Sequence, residues 1–377
     1  MEDASGIDFD AEGLLDGLEG EQRAERLTLL RELTAEGVPL AELRRSSAAG
    51  TILYLPADRV IGSRDRYTAM QVAAITGIDL GFLTQLRRAM GLPIPDDDEA
   101  VYSDAEIESV RQVHIARAAG ISDEELLDLM RVLGRSLSQV AEALRVVPLK
   151  LVLRPGMSEP ELAQSYARAA EQLYPLVNPL LENVLTLHMR HATQSTVVSE
   201  LERSGGELPG AREVAVAFAD LVGFTRLGEE VAPDELGRLA VRLETLAAEV
   251  AEPPVRLVKT IGDAAMLASP EPGPLLGATL ALIEAADAEG EDFPQLRGGA
   301  AFGPALLRAG DWFGRPVNLA SRITSVARPG SLLADEALHD SAEEGYRWSF
   351  AGHRRLKGVR EPVRLYRART SGPVPAA

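Results

Sequence analysis

One segment, VAVAFADLVGFTRL at residues 214 to 227, constrains the fold more than any other part of the sequence. Its first residues are apolar and favour a buried β-strand. The apolar run ends at Asp220, just before Gly223 and Phe224 interrupt the pattern. A carboxylate so close to a buried strand is costly unless cations or hydrogen-bond donors compensate its charge. The segment therefore predicts a strand whose end holds either a turn-forming aspartate or a charged site.

A second aspartate repeats this arrangement in RLVKTIGDAAML, residues 256 to 267. The strand is apolar apart from Lys259, and a turn at Gly262 places Asp263 at the strand end. Each aspartate alone fits the common role of a turn former. Together, two carboxylates at neighbouring strand ends repel each other unless a cation lies between them. A pair of Mg²⁺ or Mn²⁺ ions would compensate both, because these ions prefer oxygen ligands.

Clusters of glycine and proline divide the chain, most clearly at SGGELPGA, residues 204 to 211. Helical periodicity dominates before this boundary, and the order strand–helix–strand–strand–helix–strand follows it, which predicts a ferredoxin-like unit. The fold class is therefore α+β, with an all-α N-terminal domain and a ferredoxin-like α/β domain. The predicted segments are a disordered acidic lead-in at 1–20, a helical domain at 21–192, a linker at 193–210, the α/β domain at 211–369 and a tail at 370–377.

Two finer expectations concern individual elements. Pro175 and Pro179 interrupt a long helical stretch at 159–192 and predict a kink or a break there. In the second domain, residues 295–302 and 305–309 are predicted as two separate strands.

Charge and composition exclude several functions. The net charge of -18 is divided unevenly, because residues 1–210 hold 20 Lys and Arg against 34 Asp and Glu, while residues 211–377 hold 19 against 23. Nucleic acid and anionic lipid repel such a chain, so neither is an expected partner. The absence of cysteine excludes disulfides and thiolate chemistry. No signal peptide or membrane-spanning stretch is predicted, and we expect a cytoplasmic protein.

Three motifs give the chain a family resemblance. FADLVGFT (218–225), KTIGDAAM (259–266) and DWFGRPVNLASR (311–322) resemble, in order and spacing, the signatures of class III nucleotidyl cyclase catalytic domains. The resemblance implies an adenylyl cyclase, which makes cyclic AMP and pyrophosphate from ATP. It also implies that Asp220 and Asp263 hold two metal ions, Mg²⁺ or Mn²⁺.

The resemblance assigns roles to further residues. It implies that Lys259 and Asp311 bind the purine, and a Lys donor with an Asp acceptor suits the N1 and amino group of adenine. Asn318 and Arg322 would act on the ribose and the transition state; they lie four apart and so share a helix face. The chain has three lysines against 36 arginines, which favours a specific role for Lys259.

Two further cations are phosphate-binding candidates. Lys357 matches the position of a phosphate-binding lysine in the family, although it also fits a solvated cation among arginines. Arg297, in QLRGGAAFG, is the weaker candidate. Phe302 departs from the family there, because many members have a small polar residue at this position.

The family builds each site from two chains, so the resemblance implies a homodimer with two shared sites. A chain that carries all six of the metal, purine, ribose and transition-state residues should pair with a second copy of itself.

The N-terminal half has two resemblances of its own. Residues 67–130 are similar to the winged helix-turn-helix of mercury-resistance regulators, but acidic residues 96–99 stand where a wing should meet phosphate, which favours protein contact over DNA. The whole half resembles an actinobacterial regulatory domain that inhibits its cyclase at neutral or alkaline pH. His188 and His191, near the end of the last helix, are candidates for the pH switch or are ordinary helix residues. The apolar run 180–189 could line a dimer core or hold a lipid or other small effector.

Two other functions stay open at this point. A DNA-binding regulator with a cyclase-like ligand domain is disfavoured by the charge balance, and a catalytically silent nucleotide-binding scaffold would keep the same residues without the reaction.

Overall fold

The computed structural model describes residues 7–62, 66–195, 210–308, 310–342 and 344–371. The chain divides into two compact units, Met1–Val197 and Val198–Ala377. In its described part the first unit is helical and the second is built on an eight-stranded sheet. The predicted α+β class is therefore confirmed.

The first unit consists of helices of very unequal length. The two longest helices, α7 (Asp123–Val152) and α8 (Glu159–Ser195), account for most of its second half. Helix α7 begins at a capping box, in which the side chains of Ser122 and Glu125 each accept a hydrogen bond from the backbone N–H of the other residue. The helices are α1 (Gly20–Ala35), α2 (Leu40–Ala48), α3 (Leu55–Ile61), α4 (Ala69–Thr76), α5 (Leu80–Ala89), α6 (Asp104–Ala118), α7 (Asp123–Val152) and α8 (Glu159–Ser195), with a 3₁₀ turn at Ile52–Tyr54.

Residues 7–19 are packed, so the predicted disordered lead-in is wrong for this stretch. Phe9, Leu14 and Leu15 are buried in one cluster with Leu29 of α1. Three apolar side chains among the acidic residues are enough to cover α1, and an average composition conceals them. The first six residues of the lead-in lie outside the described part of the chain.

Helix α8 runs without a break through Pro175 and Pro179, so the alternative of a broken helix is wrong. Each proline removes one backbone hydrogen bond, whereas the flanking residues are mostly strong helix formers. The helix also extends to Ser195, beyond the predicted start of the linker at residue 193, and residues 196–209 lie outside the described part.

The segment 67–130 has a core of its own, in which Val72, Phe82 and Val110 are buried together. Helices α4 and α5 meet at 110°, an angle that suits a helix-turn-helix. The acidic run at 96–99 is partly engaged within the unit, because Glu99 forms an ion pair with Arg45 at 2.8 Å. The preference for protein contact over DNA stays a prediction, which nothing in this arrangement tests.

The second unit is an antiparallel sheet with one parallel pair. Its strands are β1 (Arg212–Leu221), β2 (Arg256–Ile261), β3 (Ala264–Ser269), β4 (Leu296–Arg308), β5 (Asp311–Gly314), β6 (Ser331–Asp335), β7 (Tyr346–Arg354) and β8 (Val363–Thr370). Their order is β2-β3-β1-β4-β6-β8-β7, with β5 paired to β4. Strand β4 is continuous, so the expectation of two strands there is wrong.

Helices cover both faces of this sheet. Leu243 of α10 (Pro233–Val250) and Leu276 of α11 (Pro272–Ala288) pack in the cluster on one face. Leu319 and Ile323 of α12 (Arg315–Val326) pack in the cluster on the other. Strands β1 and β4 contribute to both clusters and so lie at the centre of the unit. The helices are α9 (Phe224–Glu230), α10 (Pro233–Val250), α11 (Pro272–Ala288), α12 (Arg315–Val326) and α13 (Glu336–Ser341).

Across the described residues, no helix taken singly combines the length and hydropathy of a membrane span. Only α4 and α5, taken together as a bent pair, meet those criteria, and they do so by length and composition alone.

Candidate active site

The two aspartates singled out in the sequence lie at adjoining strand ends. Strand β1 pairs antiparallel with β3, and Asp220 stands opposite Ala264, the residue that follows Asp263. The backbone N–H of Leu221 donates to the carbonyl oxygen of Asp263 at 2.9 Å, which ties the end of β1 to the β2–β3 turn. The fold therefore brings these two carboxylates to the same end of neighbouring strands.

A guanidinium compensates the charge of Asp220. Arg297 is its register partner on β4, and the Nε and Nη2 groups of Arg297 donate to Oδ2 of Asp220 at 2.8 and 2.6 Å. Both side chains are partly buried, and because both groups are charged their hydrogen bonds are shorter than those between neutral groups. The predicted phosphate role of Arg297 stays a prediction, and it requires this ion pair to open.

Asp263 has a perturbed proton affinity. Burial raises the pKa of its carboxyl above the ordinary value, and the nearby charge of Asp220 raises it further, although a backbone hydrogen bond and Arg297 oppose the change. Two carboxylates held at adjoining strand ends repel each other when both are charged. A bound cation would offset the repulsion between the two carboxylates and stabilise their charged forms.

The chemistry of this pair suits Mg²⁺ or Mn²⁺. Both carboxylates supply oxygen donors, and Mg²⁺ is commonly held by one or two carboxylates with substrate phosphates completing its shell. In the described part of the chain, no group of three or more His, Asp or Glu side chains is placed to hold a metal ion. Asp220 and Asp263 are the two carboxylates at this position that could hold such an ion.

Lys259 and Asp311 also form an ion pair, between the Lys259 ammonium and Oδ2 of Asp311. The other oxygen of Asp311 accepts from the backbone N–H of Trp312 at 2.9 Å, which orients the carboxylate. Lys259 lies on β2 beside a bulge, and Asp311 begins β5. The pair presents one donor and one acceptor side by side at a partly exposed position.

Helix α12 carries Asn318 and Arg322 on its exposed face, while Leu319 and Ile323 on the opposite side are buried. The helix lies very close to β4 at Gly299, where an added Cβ would come within 2.2 Å of a backbone nitrogen in α12. Glycine at this position therefore sets how deeply α12 can seat on the sheet.

The remaining predicted residues belong to other elements of the chain. Lys357 is exposed in the loop between β7 and β8, directly after the buried Leu356. His188 is exposed on α8, as is most of the apolar run 180–189, and the side chain of His191 lies outside the described part. A cavity of about 740 Å³ lies elsewhere in the first unit, between the end of α7 and the start of α8.

One buried carboxylate, that of Asp335, was not predicted from the sequence. Asp335 ends β6 and is almost fully buried, and its Oδ1 accepts from the backbone N–H groups of Leu338 at 3.0 Å and Phe302 at 3.3 Å. Burial raises its pKa to about 6, against the lowering effect of these bonds and of Arg315. The available signal was an aspartate directly before a short helical segment, which is typical of an N-cap.

Known proteins resemble this chain over most of its length. A model of the adenylate cyclase regulatory domain matches residues 7–193. A pH-sensitive adenylate cyclase from Mycobacterium tuberculosis is 44% identical over 370 residues, covering 96% of this chain and 92% of that protein. An adenylate cyclase from Streptomyces coelicolor is 33% identical over 283 residues, covering 74% and 72%. A crystal structure of an adenylyl cyclase from P. aeruginosa, 22% identical, covers 43% of this chain and 95% of its own at a TM-score of 0.38.

The named relatives place this chain among the adenylate cyclases. Identity to the mycobacterial protein extends from the helical half through the catalytic half. The chain belongs to the adenylate cyclase family whose members join an N-terminal regulatory domain to a class III catalytic domain, and the resemblance found in the motifs is confirmed.

Proposed function

We propose that this chain converts ATP into 3′,5′-cyclic AMP and pyrophosphate. The ribose 3′ oxygen attacks the α-phosphorus, the bond to the β-phosphate oxygen breaks, and the hydroxyl proton is released. The observation that carries the proposal is the placement of Asp220 and Asp263 at adjoining strand ends in a chain 44% identical to a named adenylate cyclase.

Two carboxylates at these strand ends give the site its cation-binding character. Divalent ions held there would lower the pKa of the 3′ hydroxyl and balance the charge of the phosphates. Asp220 is freed for this role when Arg297 releases it. The pKa of Asp263 is raised by burial and by Asp220, and a cation held beside it would favour its ionised form.

Lys259 and Asp311 would select adenine. The ammonium donates to N1 and the carboxylate accepts from the 6-amino group, whereas guanine offers the reverse pattern at these positions. The two side chains are already together, so the base has to bind between or beside them at the expense of part of their ion pair.

Asn318 and Arg322 would bind the ribose and the transition state from one helix face. Arg322 stabilises the negative charge that develops on the phosphate oxygens during transfer, and Asn318 orients the ribose. Lys357, exposed on its loop, would bind the triphosphate, with Arg297 as a further candidate.

We also propose a homodimer that shares two sites. The β4–β5 hairpin, which carries Asp311, leaves Leu306, Leu307 and Phe313 exposed in the single chain. Apolar side chains on a hairpin next to a binding residue favour an interface with a second copy.

The helical unit would act as a pH-dependent inhibitor of the catalytic unit. A relative named for pH sensitivity supports the pH dependence, whereas the inhibitory sign rests on the family resemblance alone. His188 is exposed on α8, near the point where the described helix ends, and protonation of exposed histidines can bias a helix arrangement.

The test is cyclic AMP formation from ATP with Mn²⁺ or Mg²⁺ between pH 5 and 8, for the full chain and for residues 211–377. That segment carries a sheet with cores on both faces. We expect the segment to be active at every pH and the full chain to be active mainly in acid. If neither forms cyclic AMP, the chain is a nucleotide-binding scaffold and the proposal fails.

A further inference from the structure

The ion pair between Arg297 and Asp220 has an unusual position for a surface salt bridge. Two groups of the guanidinium, Nε and Nη2, donate to the same oxygen, Oδ2, at 2.8 and 2.6 Å. The carboxylate involved is one of the two that the proposed function assigns to the metal. A cation already present in the chain therefore occupies one of the two oxygens that Asp220 offers to a divalent ion.

The strand register and a contact with α12 position Arg297 beside Asp220. Residues 220 and 297 are opposite each other in the β1–β4 register, so their side chains leave the sheet on the same face. A third group, Nη1, donates to the carbonyl oxygen of Ser325 near the end of α12 at 3.4 Å. Arg297 also lowers the pKa of Asp263, so its charge acts on both carboxylates, as that of a metal ion would.

We propose that Arg297 is a built-in competitor for the divalent cation at Asp220. It neutralises the carboxylate in the metal-free chain, and a metal ion binds there only by displacing it. This inference rests on the proposed metal role of Asp220. Arginine keeps its charge at any working pH, so displacement follows competition between cations and not deprotonation.

The ion pair is weak enough for another cation to replace Arg297 beside Asp220. The side chains of Arg297 and Asp220 are 31% and 19% exposed, and ion pairs that water can reach contribute little net stability. A dication between two carboxylates gains more than one guanidinium does. The arginine would thus lower metal affinity without preventing binding, and it would keep two partly buried acids from facing each other uncompensated.

The experiment measures Mn²⁺ affinity of the full-length protein without nucleotide, from the electron paramagnetic resonance signal of free Mn²⁺. The variants are Arg297→Gln and Arg297→Lys, with Arg364→Gln as the matched control. Arg364 also forms an ion pair with an acid, Glu336, but on β8. Because so acidic a chain binds Mn²⁺ elsewhere too, each protein is compared with its own Asp220→Asn derivative.

We expect the Asp220-dependent affinity to rise about fivefold in Arg297→Gln, since an ion pair worth about 1 kcal/mol no longer competes. Arg297→Lys, which cannot make the double contact, should show a smaller rise, and Arg364→Gln should match the unaltered protein. An arginine that only supports the fold would leave affinity unchanged or lower it when replaced.

Unchanged or weaker Mn²⁺ binding in a folded Arg297→Gln protein overturns the competition. If Arg297→Gln does not fold, Arg297→Lys decides the question in the same way. If Asp220→Asn removes no Mn²⁺ binding from the unaltered protein, the proposed metal site itself is wrong and the inference falls with it. Those two failures are distinct, because the first leaves the Asp220-dependent site intact.

Discussion

Asp220 and Asp335 illustrate two uses of an aspartate at the end of a β-strand. Each lies at the end of a central apolar strand of the same sheet, and each precedes a helix. Asp335 is bound by two backbone N–H groups and its pKa is raised to about 6. Asp220 is bound by the side chain of Arg297. The first partner is fixed by the backbone, whereas the second can move away.

This difference separates a structural carboxylate from a functional one. Backbone donors at a helix start cannot be exchanged without unfolding the local structure. A guanidinium on a neighbouring strand can be replaced by another cation at little cost. The identity of the partner, more than burial or strand position, therefore indicates which aspartate is available for chemistry.

The strongest test substitutes both aspartates. Asp220→Asn removes a charge needed at the reacting phosphate, and we expect kcat/KM for ATP to fall about a thousandfold. Asp335→Asn retains an oxygen that caps the helix, so its activity should stay within about tenfold of the unaltered protein. The measurement is cyclic AMP formation by proteins with matching circular dichroism spectra. Equal losses in the two variants would contradict the distinction.

A substitution that disturbs packing can change the position of α12 while every carboxylate of the site is retained. Gly299→Ala forces a Cβ against the backbone of α12, so we expect about 3 kcal/mol of destabilisation and reduced activity although every carboxylate is retained. Gly237→Ala on α10 is the matched control, because a Cβ there meets nothing within 4 Å. Urea unfolding followed by tryptophan fluorescence reports on this unit alone, since Trp312 and Trp348 both lie in it. Equal stability of the two variants would show that α12 can shift freely.

The buried acid should give the catalytic unit a pH-dependent stability. The pKa of Asp335 is raised from 3.8 to about 6 in the folded chain, so the folded state binds the proton more tightly than the unfolded state between these values. Stability from this group is therefore greatest in acid and is lost as pH rises from about 4 to 6. A pKa raised by this amount corresponds to about 3 kcal/mol in the free energy of unfolding.

Urea unfolding at pH 4 to 7 checks this prediction. Asp335→Asn should flatten the dependence, whereas Asp234→Asn, at an exposed position of α10, should not. A slope that survives in Asp335→Asn would assign the titration to another group.

The smallest effect concerns the purine-binding pair. Lys259→Gln removes the cation beside Asp311 and the donor for adenine N1, and we expect about a tenfold loss in kcat/KM for ATP. Lys150→Gln, at an exposed position on α7, is the control and should have no effect. A loss confined to kcat, with KM unchanged, would argue against a role in binding the base.

Local pattern was enough to predict several parts of this molecule. The apolar run to Asp220 and the turn at Asp263 indicated strand ends, because strand periodicity and turn chemistry depend on neighbours in sequence. The same reasoning placed Asn318 and Arg322 on one face of α12. It failed for Phe9, Leu14 and Leu15, since their burial depends on α1, which an acidic average does not reveal.

The sequence by itself determined the two strand ends, the helix face and the family, because these depend on short-range order and on motifs that the chain carries intact. Only the tertiary structure decided that Asp220 faces Arg297, that Lys259 faces Asp311 and that Asp335 binds the backbone N–H of Phe302. Those contacts join residues far apart in the chain, and a shift of one residue in strand register would turn each side chain to the opposite face.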